Sequence, residues 1–107
     1  MTNYQKGAKH ERDVQSRMEK LGYLAIRSAG SHSKADLILI PLENAQPIPE
    51  IGIGVFVCQL KRRKGKETKK EREEKEEFSK IRFYHPIVRK LWVGRKDREK
   101  EKVEEIG

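Results

Sequence analysis

Three polar side chains stand at the ends of apolar runs, where they are placed to act on one shared ligand. Asp36 precedes the apolar residues 37–40, and Gln59 and Lys61 come just after the apolar run 55–58, separated by Leu60. If the two runs form an antiparallel pair of strands, Asp36 lies beside Gln59 and Lys61, which share one face because side chains alternate along a strand. Burial of a carboxylate without a partner is unfavourable, so Asp36 at this position requires one.

A fourth polar side chain, Glu11, falls on the apolar stripe of a predicted helix. It lies three residues after Ala8 and three before Val14. We therefore expect its carboxylate to face the core, where it needs a cation. The alternative is that Glu11 pairs with a neighbouring cationic side chain such as Lys61.

Together these groups have the chemistry of a metal site. Glu11, Asp36, the amide oxygen of Gln59 and the backbone carbonyl of Leu60 are the oxygen ligands that a hard cation prefers, and water completes the shell. Lys61 would stand beside the ion, where its ammonium group can orient an attacking water or stabilise charge on a phosphate. The alternative reading is that Asp36 caps the turn before its strand and that Gln59 merely ends one.

The apolar periodicity predicts a single α/β domain over residues 1–107. Apolar residues at helical spacing predict a first helix that Gly22 ends, and short β-branched and aromatic runs predict strands. Opposite charges at helical distance before Pro86 favour a second, exposed helix whose N-terminal half protrudes or frays. In chain order, the prediction is a helix over 3–21, strands over 23–27, 35–40 and 52–61, a helix over 67–82, a strand over 87–93, and a polar tail within 95–107 that is helical or disordered.

Positive charge is concentrated beyond residue 60. The 107-residue chain has 25 Lys and Arg against 17 Asp and Glu, a formal net charge of +8, yet residues 1–60 hold seven basic and six acidic groups. The densest basic run comprises Lys61, Arg62, Arg63, Lys64 and Lys66. Such a run is expected for a polyphosphate partner, with nucleic acid as the leading candidate. A solvated loop without a partner is the alternative.

The composition also excludes several classes of protein. The one cysteine, Cys58, cannot form an internal disulfide, and no apolar run approaches the roughly 20 residues needed to span a bilayer. We expect a cytoplasmic protein without a signal peptide or membrane partner. His10 and His85 have no partner at metal-ligand spacing, so a zinc site is not expected. Trp92 is expected to pack, with base stacking or a dimer contact as alternatives if it faces outward.

A pattern over residues 4–64 resembles a known family. The archaeal-type Holliday junction resolvases of the PD-(D/E)xK nuclease superfamily show a similar succession of motifs, and the segment between the first two strands is the most discriminating of them. The residues that carry the resemblance are Gly7-Ala8, Glu11-Arg12, Arg27-Ser28-Ala29-Gly30-Ser31-His32, Asp36 and Gln59-Leu60-Lys61.

The resemblance implies a restriction-endonuclease-like core with a mixed central sheet, and a homodimer that cuts four-way DNA junctions with Mg²⁺, or with Mn²⁺ in its place, to leave 5′-phosphate ends. It implies that Glu11 is the catalytic glutamate of the first helix and that Asp36 binds metal. Gln59 and Lys61 then occupy the (D/E) and K positions of the motif. The residues expected to bind DNA are Lys6, Arg12, Arg27, Ser28, Ser31, His32, Arg62, Arg63 and Lys64.

Two departures from the family pattern leave alternatives open. Gln59 is an amide where a carboxylate is usual, so metal affinity should fall unless Glu11 or a carboxylate of the following helix, such as Glu71, contributes. The segment 43–54 is also long for a tight hairpin, and it would reshape the junction-binding surface or extend a dimer contact. A non-catalytic branched-DNA-binding module and a nuclease that acts on ordinary duplex DNA are therefore the competing hypotheses.

Overall fold

The computed structural model describes residues 3–28, 35–63, 65–96 and 100–106, with the side chains of residues 3–7 and of Lys96 outside the description. The predicted α/β class and mixed sheet are confirmed. No helix in the described ranges is both long and apolar enough to cross a bilayer. The elements are α1 (Asn3–Lys20), β1 (Tyr23–Arg27), β2 (Leu37–Pro41), β3 (Val55–Arg63), α2 (Lys69–Ser79), β4 (Val88–Lys96) and β5 (Lys102–Ile106).

The five strands form one sheet in the order β1-β2-β3-β4-β5. The β3 and β4 strands are parallel and the other neighbouring pairs are antiparallel. Parallel neighbours need a crossover connection, and α2 supplies it. Because β2 and β3 are antiparallel neighbours, the end of β3 and the start of β2 lie side by side at one edge of the sheet.

The core lies between α1 and one face of the sheet. Val14 and Met18, four residues apart on α1, are buried against the sheet because residues at this spacing share a helix face. Every second residue of β3 points toward them, and the buried ones are Phe56, Cys58 and Leu60. Burial raises the pKa of the Cys58 thiol to about 12, and the nearby Asp36 carboxylate acts in the same direction.

The opposite face of the sheet is covered by α2 at one end only. Phe78 of α2 packs on Trp92 of β4, with ring centroids 6.1 Å apart, so Trp92 is buried as expected of a packing residue. Lys90 donates hydrogen bonds from Nζ to the carbonyls of Ser79 and Ile81, which satisfies the end of the helix. The remaining part of this face is exposed and apolar.

This exposed part, the outer apolar face, consists of cross-strand pairs on β1 and β2. Leu24 lies opposite Ile40, and Ile26 lies opposite Ile38. All four side chains are exposed, by 36 to 47%. They point away from the core because the alternate residues, such as Tyr23 and Leu39, fill it.

A tight turn and an ordered loop connect these elements. Gly22 ends α1 with φ of 95°, and a Cβ atom there would lie 2.8 Å from the Cα of Ala45. Only glycine fits such a position without strain. The long segment between β2 and β3 folds back on the core through Ile48, which is 2% exposed and bridges to Gly52. Its length therefore serves packing against the core.

The C-terminal segment differs from the prediction of a helical or disordered tail, because residues 102–106 form β5 on the edge of β4. Its carboxylates and the one before it are paired: Glu105 accepts two hydrogen bonds of 2.6 Å from Arg89, Glu104 pairs with Lys75, and Glu101 pairs with Arg17 at 2.8 Å. Val103 packs against the core. Few of these residues are apolar, so the local sequence contains little sign of a strand that is anchored mainly by ion pairs.

His10 leads to a prediction about stability and pH. It is 2% exposed on α1, and neither ring nitrogen has a hydrogen-bond partner among the described residues. Burial lowers the pKa of His10 and outweighs the opposing effects of the Glu101 charge and of a weak contact with the Val93 backbone, which lacks full hydrogen-bond geometry. The charges of Arg95 and Arg62 also lower this pKa. Below pH about 6.5 the unfolded chain therefore takes up a proton that the folded chain does not, so the free energy of unfolding falls as pH falls.

We expect His10→Leu to remove this part of the pH dependence and to leave the protein as stable or about 1 kcal/mol more stable at pH 7.5, since two unsatisfied nitrogens disappear. The measurement is urea unfolding at pH 5.5, 6.5 and 7.5. The control is His85→Leu, because His85 is exposed. An identical pH dependence in wild type and His10→Leu would contradict the assignment.

Candidate active site

Asp36 lies where β2 begins to pair with β3, and both its backbone and its side chain bond to β3. Its backbone N–H donates to the Cys58 carbonyl at 2.9 Å, and its Oδ2 accepts from the Leu60 N–H at 2.9 Å. The carboxylate thus accepts the β3 N–H that a backbone carbonyl of a neighbouring strand would otherwise accept. A carboxylate that accepts a backbone N–H is held in a fixed orientation.

The backbone of Leu60 turns a carbonyl toward the same place. The Cys58 carbonyl and the Leu60 N–H both point toward β2, as the two bonds to Asp36 show. Because backbone directions repeat every two residues along a strand, the Leu60 carbonyl points the same way. Asp36 and Leu60 therefore present two oxygen atoms at one edge of the sheet.

A cavity of about 710 Å³ lies between this edge and α2. Asp36, Gln59 and Lys61 line its sheet side, and three carboxylates of α2 face them. These four carboxylates stand against two ammonium groups, those of Lys61 and Lys70, so we call this space the acidic cavity. The α2 carboxylates are Glu73, Glu74 and Glu77.

Lys61 is fixed within this cavity by two neighbours. Its ammonium group forms an ion pair with Glu74, and its Nζ lies 5.9 Å from the centroid of the Trp92 ring. Lys75 approaches the same ring at 5.9 Å and pairs with Glu104. A cation above an aromatic face is attracted by the ring quadrupole. Glu74 and the indole thus hold the ammonium group of Lys61 at the wall of the cavity that Asp36 also lines.

Glu11 does not join these residues. Its carboxylate pairs with Arg27 at 3.1 Å, its side chain is 33% exposed, and it does not line the acidic cavity. The prediction that it faces the core is wrong. It belongs to α1, which covers the face of Cys58 and Leu60, whereas α2 covers the face of Lys61. Because Glu11 lies at the border of the apolar stripe, its long side chain can extend to solvent, where it pairs with Arg27.

The oxygen atoms at this edge are of the type that binds a divalent metal such as magnesium. Among the described residues, no three Asp, Glu, His or Cys side chains form a metal site by themselves. Magnesium is nevertheless commonly held by one or two carboxylates together with water and substrate phosphate. Asp36, the Gln59 amide and the Leu60 carbonyl would hold such an ion. The carboxylate predicted to compensate for Gln59, that of Glu71, bonds to Arg63 instead.

Arg63 holds the start of α2 against the sheet. Its Nη1 donates to Glu71 at 2.8 Å and to Glu67 at 3.5 Å, and Glu71 is 8% exposed. Gly94 on β4 makes room for it, because a Cβ atom there would lie 3.1 Å from Nη2 of Arg63. The Thr68 hydroxyl accepts the Glu71 N–H at 3.1 Å and caps the helix. The N-terminal half of α2 therefore does not protrude as predicted.

The other predicted DNA-binding residues differ in their exposure and in their contacts. Arg12 is exposed, Arg27 is exposed and paired with Glu11, and Arg62 is half-buried at the end of β3. Ser28 donates its N–H to the Asp36 carbonyl at 3.1 Å, so the segment predicted to contact the DNA backbone begins beside the acidic cavity. The predicted residues that lie outside the described residues or side chains are Lys6, Ser31, His32 and Lys64.

Sequence reasoning missed the three α2 carboxylates that face the cavity. Glu73, Glu74 and Glu77 follow Lys70 at intervals of three, four and seven residues, which place them on one helix face. That signal was present in the sequence. The same spacing also predicts exposed ion pairs, because nothing in the sequence shows which face of a charged helix meets the sheet.

A larger cavity, of about 810 Å³, lies away from this chemistry. It is formed by α1, the loop at Ile48 and the start of β5, and its inner wall includes Met18 and Val103. None of the predicted catalytic residues lines it. We therefore place the candidate active site at the acidic cavity despite its smaller volume.

The Arg63 contacts predict a structural role for this residue. In Arg63→Met the buried Glu71 carboxylate loses its partner, so we expect the free energy of unfolding to fall by about 2 kcal/mol, below the cost in a fully buried pair because the Arg63 side chain is 22% exposed. Lys80→Met is the control, since both partners of the Lys80–Glu76 pair are more than 60% exposed, and a cost under about 0.5 kcal/mol is expected. Equal losses in urea unfolding would contradict this role.

Comparison with known proteins supplies one likeness of fold. No protein-family model and no curated protein matches the chain. Among solved structures, it is similar to Hjc of Archaeoglobus fulgidus, a Holliday junction resolvase from an archaeal hyperthermophile, with 21% sequence identity and a TM-score of 0.59. The likeness covers 94% of this chain and 72% of that one. The two proteins therefore share a fold over nearly the whole of this chain.

Proposed function

We propose that this protein is a metal-dependent endonuclease that resolves four-way DNA junctions. The observation that carries the proposal is that Asp36, which accepts the Leu60 N–H, lines the acidic cavity together with Gln59 and Lys61. The fold shared with a Holliday junction resolvase supports it, as does the net charge of +8. A polyanionic substrate and a hard cation are the ligands that this combination of groups suits.

The proposed reaction is hydrolysis of a phosphodiester. Asp36, the Gln59 amide and the Leu60 carbonyl would hold a divalent metal, which would supply Lewis-acid stabilisation of the charge on the phosphate. Asp36, oriented by the Leu60 N–H, provides the one formal negative charge among the proposed metal ligands. Lys61 orients the attacking water or stabilises the phosphate oxygens through its ammonium group. Because Glu74 pairs with Lys61, substrate must share or displace this carboxylate.

The amide of Gln59 leaves the proposed metal site with less negative charge than a second carboxylate would give. The α2 carboxylates partly compensate, since they lower the electrostatic potential of the cavity without having to be ligands. The amide nevertheless supports a second candidate function, a branched-DNA-binding module with little or no catalysis. A duplex-acting nuclease would use the same residues and differ only in the shape of DNA that it prefers.

We further propose that the protein acts as a homodimer joined through the outer apolar face. Leu24, Ile26, Ile38 and Ile40 present a patch without charged side chains. Two copies with a net charge of +8 each repel one another least where they meet through such a surface. A second copy of the chain is therefore the occupant we propose, and two symmetric sites suit two opposed cuts in a junction.

Asp36→Asn tests catalysis. The amide oxygen can still accept the Leu60 N–H, so the fold should persist, whereas cleavage of a four-way junction with Mg²⁺ should fall by about 100-fold or more and junction binding should change little. Asp13→Asn is the matched control, because this exposed carboxylate pairs with Arg95 and lies away from the cavity. Cleavage is measured on gels with a junction and with linear duplexes of the same arm sequences.

Three results would decide among the candidates. Wild-type protein that binds the junction but cuts nothing across Mg²⁺ and Mn²⁺ titrations would establish the binding module. Equal cleavage of junction and duplex would establish the duplex-acting nuclease. Undiminished cleavage by Asp36→Asn would remove this residue from the reaction.

Ile26→Glu tests the dimer. Ile26 is 44% exposed on the outer apolar face, and two carboxylates would enter a two-fold interface. Loss of two buried isoleucines, each worth about 1.5–3 kcal/mol, should raise the dimer dissociation constant by at least about 100-fold. Ile87→Glu is the control, at an exposed position away from this face. Analytical ultracentrifugation gives the masses, and a monomeric wild type at about 100 μM or an unchanged Ile26→Glu dimer would contradict the proposal.

A further inference from the structure

A second cavity lies next to the acidic one, at the end of β3. It measures about 380 Å³ and is bounded by the last residues of β3, the turn before α2 and the first turns of α2. Lys61, Lys70 and Glu74 line both cavities, so the two share a wall. The two cavities are therefore adjacent, so that one strand of nucleic acid can contact both.

The charge of this second cavity is opposite to that of the first. Five cationic side chains face two carboxylates, so we call it the basic cavity. Two ion pairs within the lining, Arg63 with Glu71 and Lys61 with Glu74, neutralise four of these groups. Two further cations, Lys66 and Lys70, line the cavity outside these ion pairs.

The two lysines of this set are available to a ligand. Lys66 and Lys70 are both exposed, and within the described part of the chain neither forms an ion pair. A net charge of this sign repels a metal ion and attracts an anion. Lys66, in the turn, and Lys70, on α2, approach the cavity from two separate elements.

The wall that carries these lysines is rigid. The bond from Arg63 to the buried Glu71 fixes the first turn of α2 on β3, and Thr68 caps the same turn. The backbone of the turn that carries Lys70 is thus held in place before a ligand arrives, which lowers the ordering cost of binding. Arg63, which sequence reasoning placed on the DNA, supports this wall from within.

We propose that the basic cavity binds a backbone phosphodiester of the same DNA strand whose neighbouring phosphodiester enters the acidic cavity, with Lys66 and Lys70 as its main contacts. The proposal rests on the proposed function for the identity of the strand in the acidic cavity. Successive phosphates of a strand carry one charge per nucleotide, so a strand held at Lys61 places another phosphate within one nucleotide of it. Contacts of this kind set the register of the strand without reading its sequence.

The first test removes the two lysines and measures binding without cleavage. The test variant combines Lys66→Gln with Lys70→Gln. The control variant combines Lys69→Gln with Arg72→Gln, which removes two exposed charges of α2 that line neither cavity. The probes are a fluorescent four-way junction and a linear duplex, titrated in EDTA at several NaCl concentrations. All of these residues are exposed, and thermal unfolding verifies that both variants fold.

We expect the Lys66/Lys70 variant to bind about 10-fold more weakly at about 0.1 M NaCl and to reduce the slope of log K against log salt by about 1, as loss of one phosphate contact predicts. The Lys69/Arg72 variant should lose less than about 3-fold, because distant charges are screened at this salt concentration. Equal losses in the two variants would overturn the proposal, since net charge alone would then explain them.

The second test locates the phosphate. Single methylphosphonate linkages, which are uncharged, are placed one at a time around the position cut in the junction, or along the duplex if nothing is cut. One linkage should weaken binding to wild type and have no further effect on the Lys66/Lys70 variant. If every linkage weakens both proteins equally, no backbone phosphate occupies the cavity. Inorganic phosphate is also tested as a competitor of DNA binding. If it competes with wild type but not with the Lys66/Lys70 variant, and no single linkage shows the expected effect, the cavity binds free phosphate and the proposal is overturned.

These outcomes are separate from those of the proposed function. A protein that never cuts but shows the linkage effect supports the basic cavity and refutes the nuclease. A protein that cuts junctions while the two double variants bind equally supports the nuclease and refutes the basic cavity.

Discussion

The arrangement of the site depends on one hydrogen bond, from the Leu60 N–H to the Asp36 carboxylate. In a continuous pair of strands that N–H would be satisfied by a backbone carbonyl, and no side chain would lie in the plane of the sheet. Here a charged side chain takes that role where the pairing of β2 with β3 begins. The Leu60 N–H therefore has a hydrogen-bond acceptor, and the negative charge of Asp36 is held at the edge of the sheet. The Leu60 carbonyl remains directed toward the same point.

Two cavities of opposite charge follow from how α2 crosses this edge. Its carboxylates Glu73, Glu74 and Glu77 face Asp36, and its first turn, with Lys70, faces the end of β3. Lys61 belongs to both spaces and pairs with Glu74 between them. A negatively charged space beside a positively charged one suits a cation and a phosphate that must meet, because each ligand is attracted to its own side.

Strand periodicity was enough to bring Asp36, Gln59 and Lys61 to one cavity, because a period of two and one pairing determine which side chains are neighbours. Helical periodicity was less informative for Glu11, since a long side chain at the border of a stripe can turn toward solvent. The carboxylates of α2 and the ion pairs of β5 were not predicted. Both depend on which of many surface charges meet across the fold, and local sequence carries little information about such long-range pairs.

The buried position of Cys58 has a practical consequence for work on this protein. Its thiol is fully buried and has a pKa of about 12, so almost none of it is the reactive thiolate at neutral pH. It is also the sole cysteine of the chain. A cysteine introduced at a chosen surface position would therefore be the only thiol that a spin label, fluorophore or cross-linker meets, and the native residue need not be removed first.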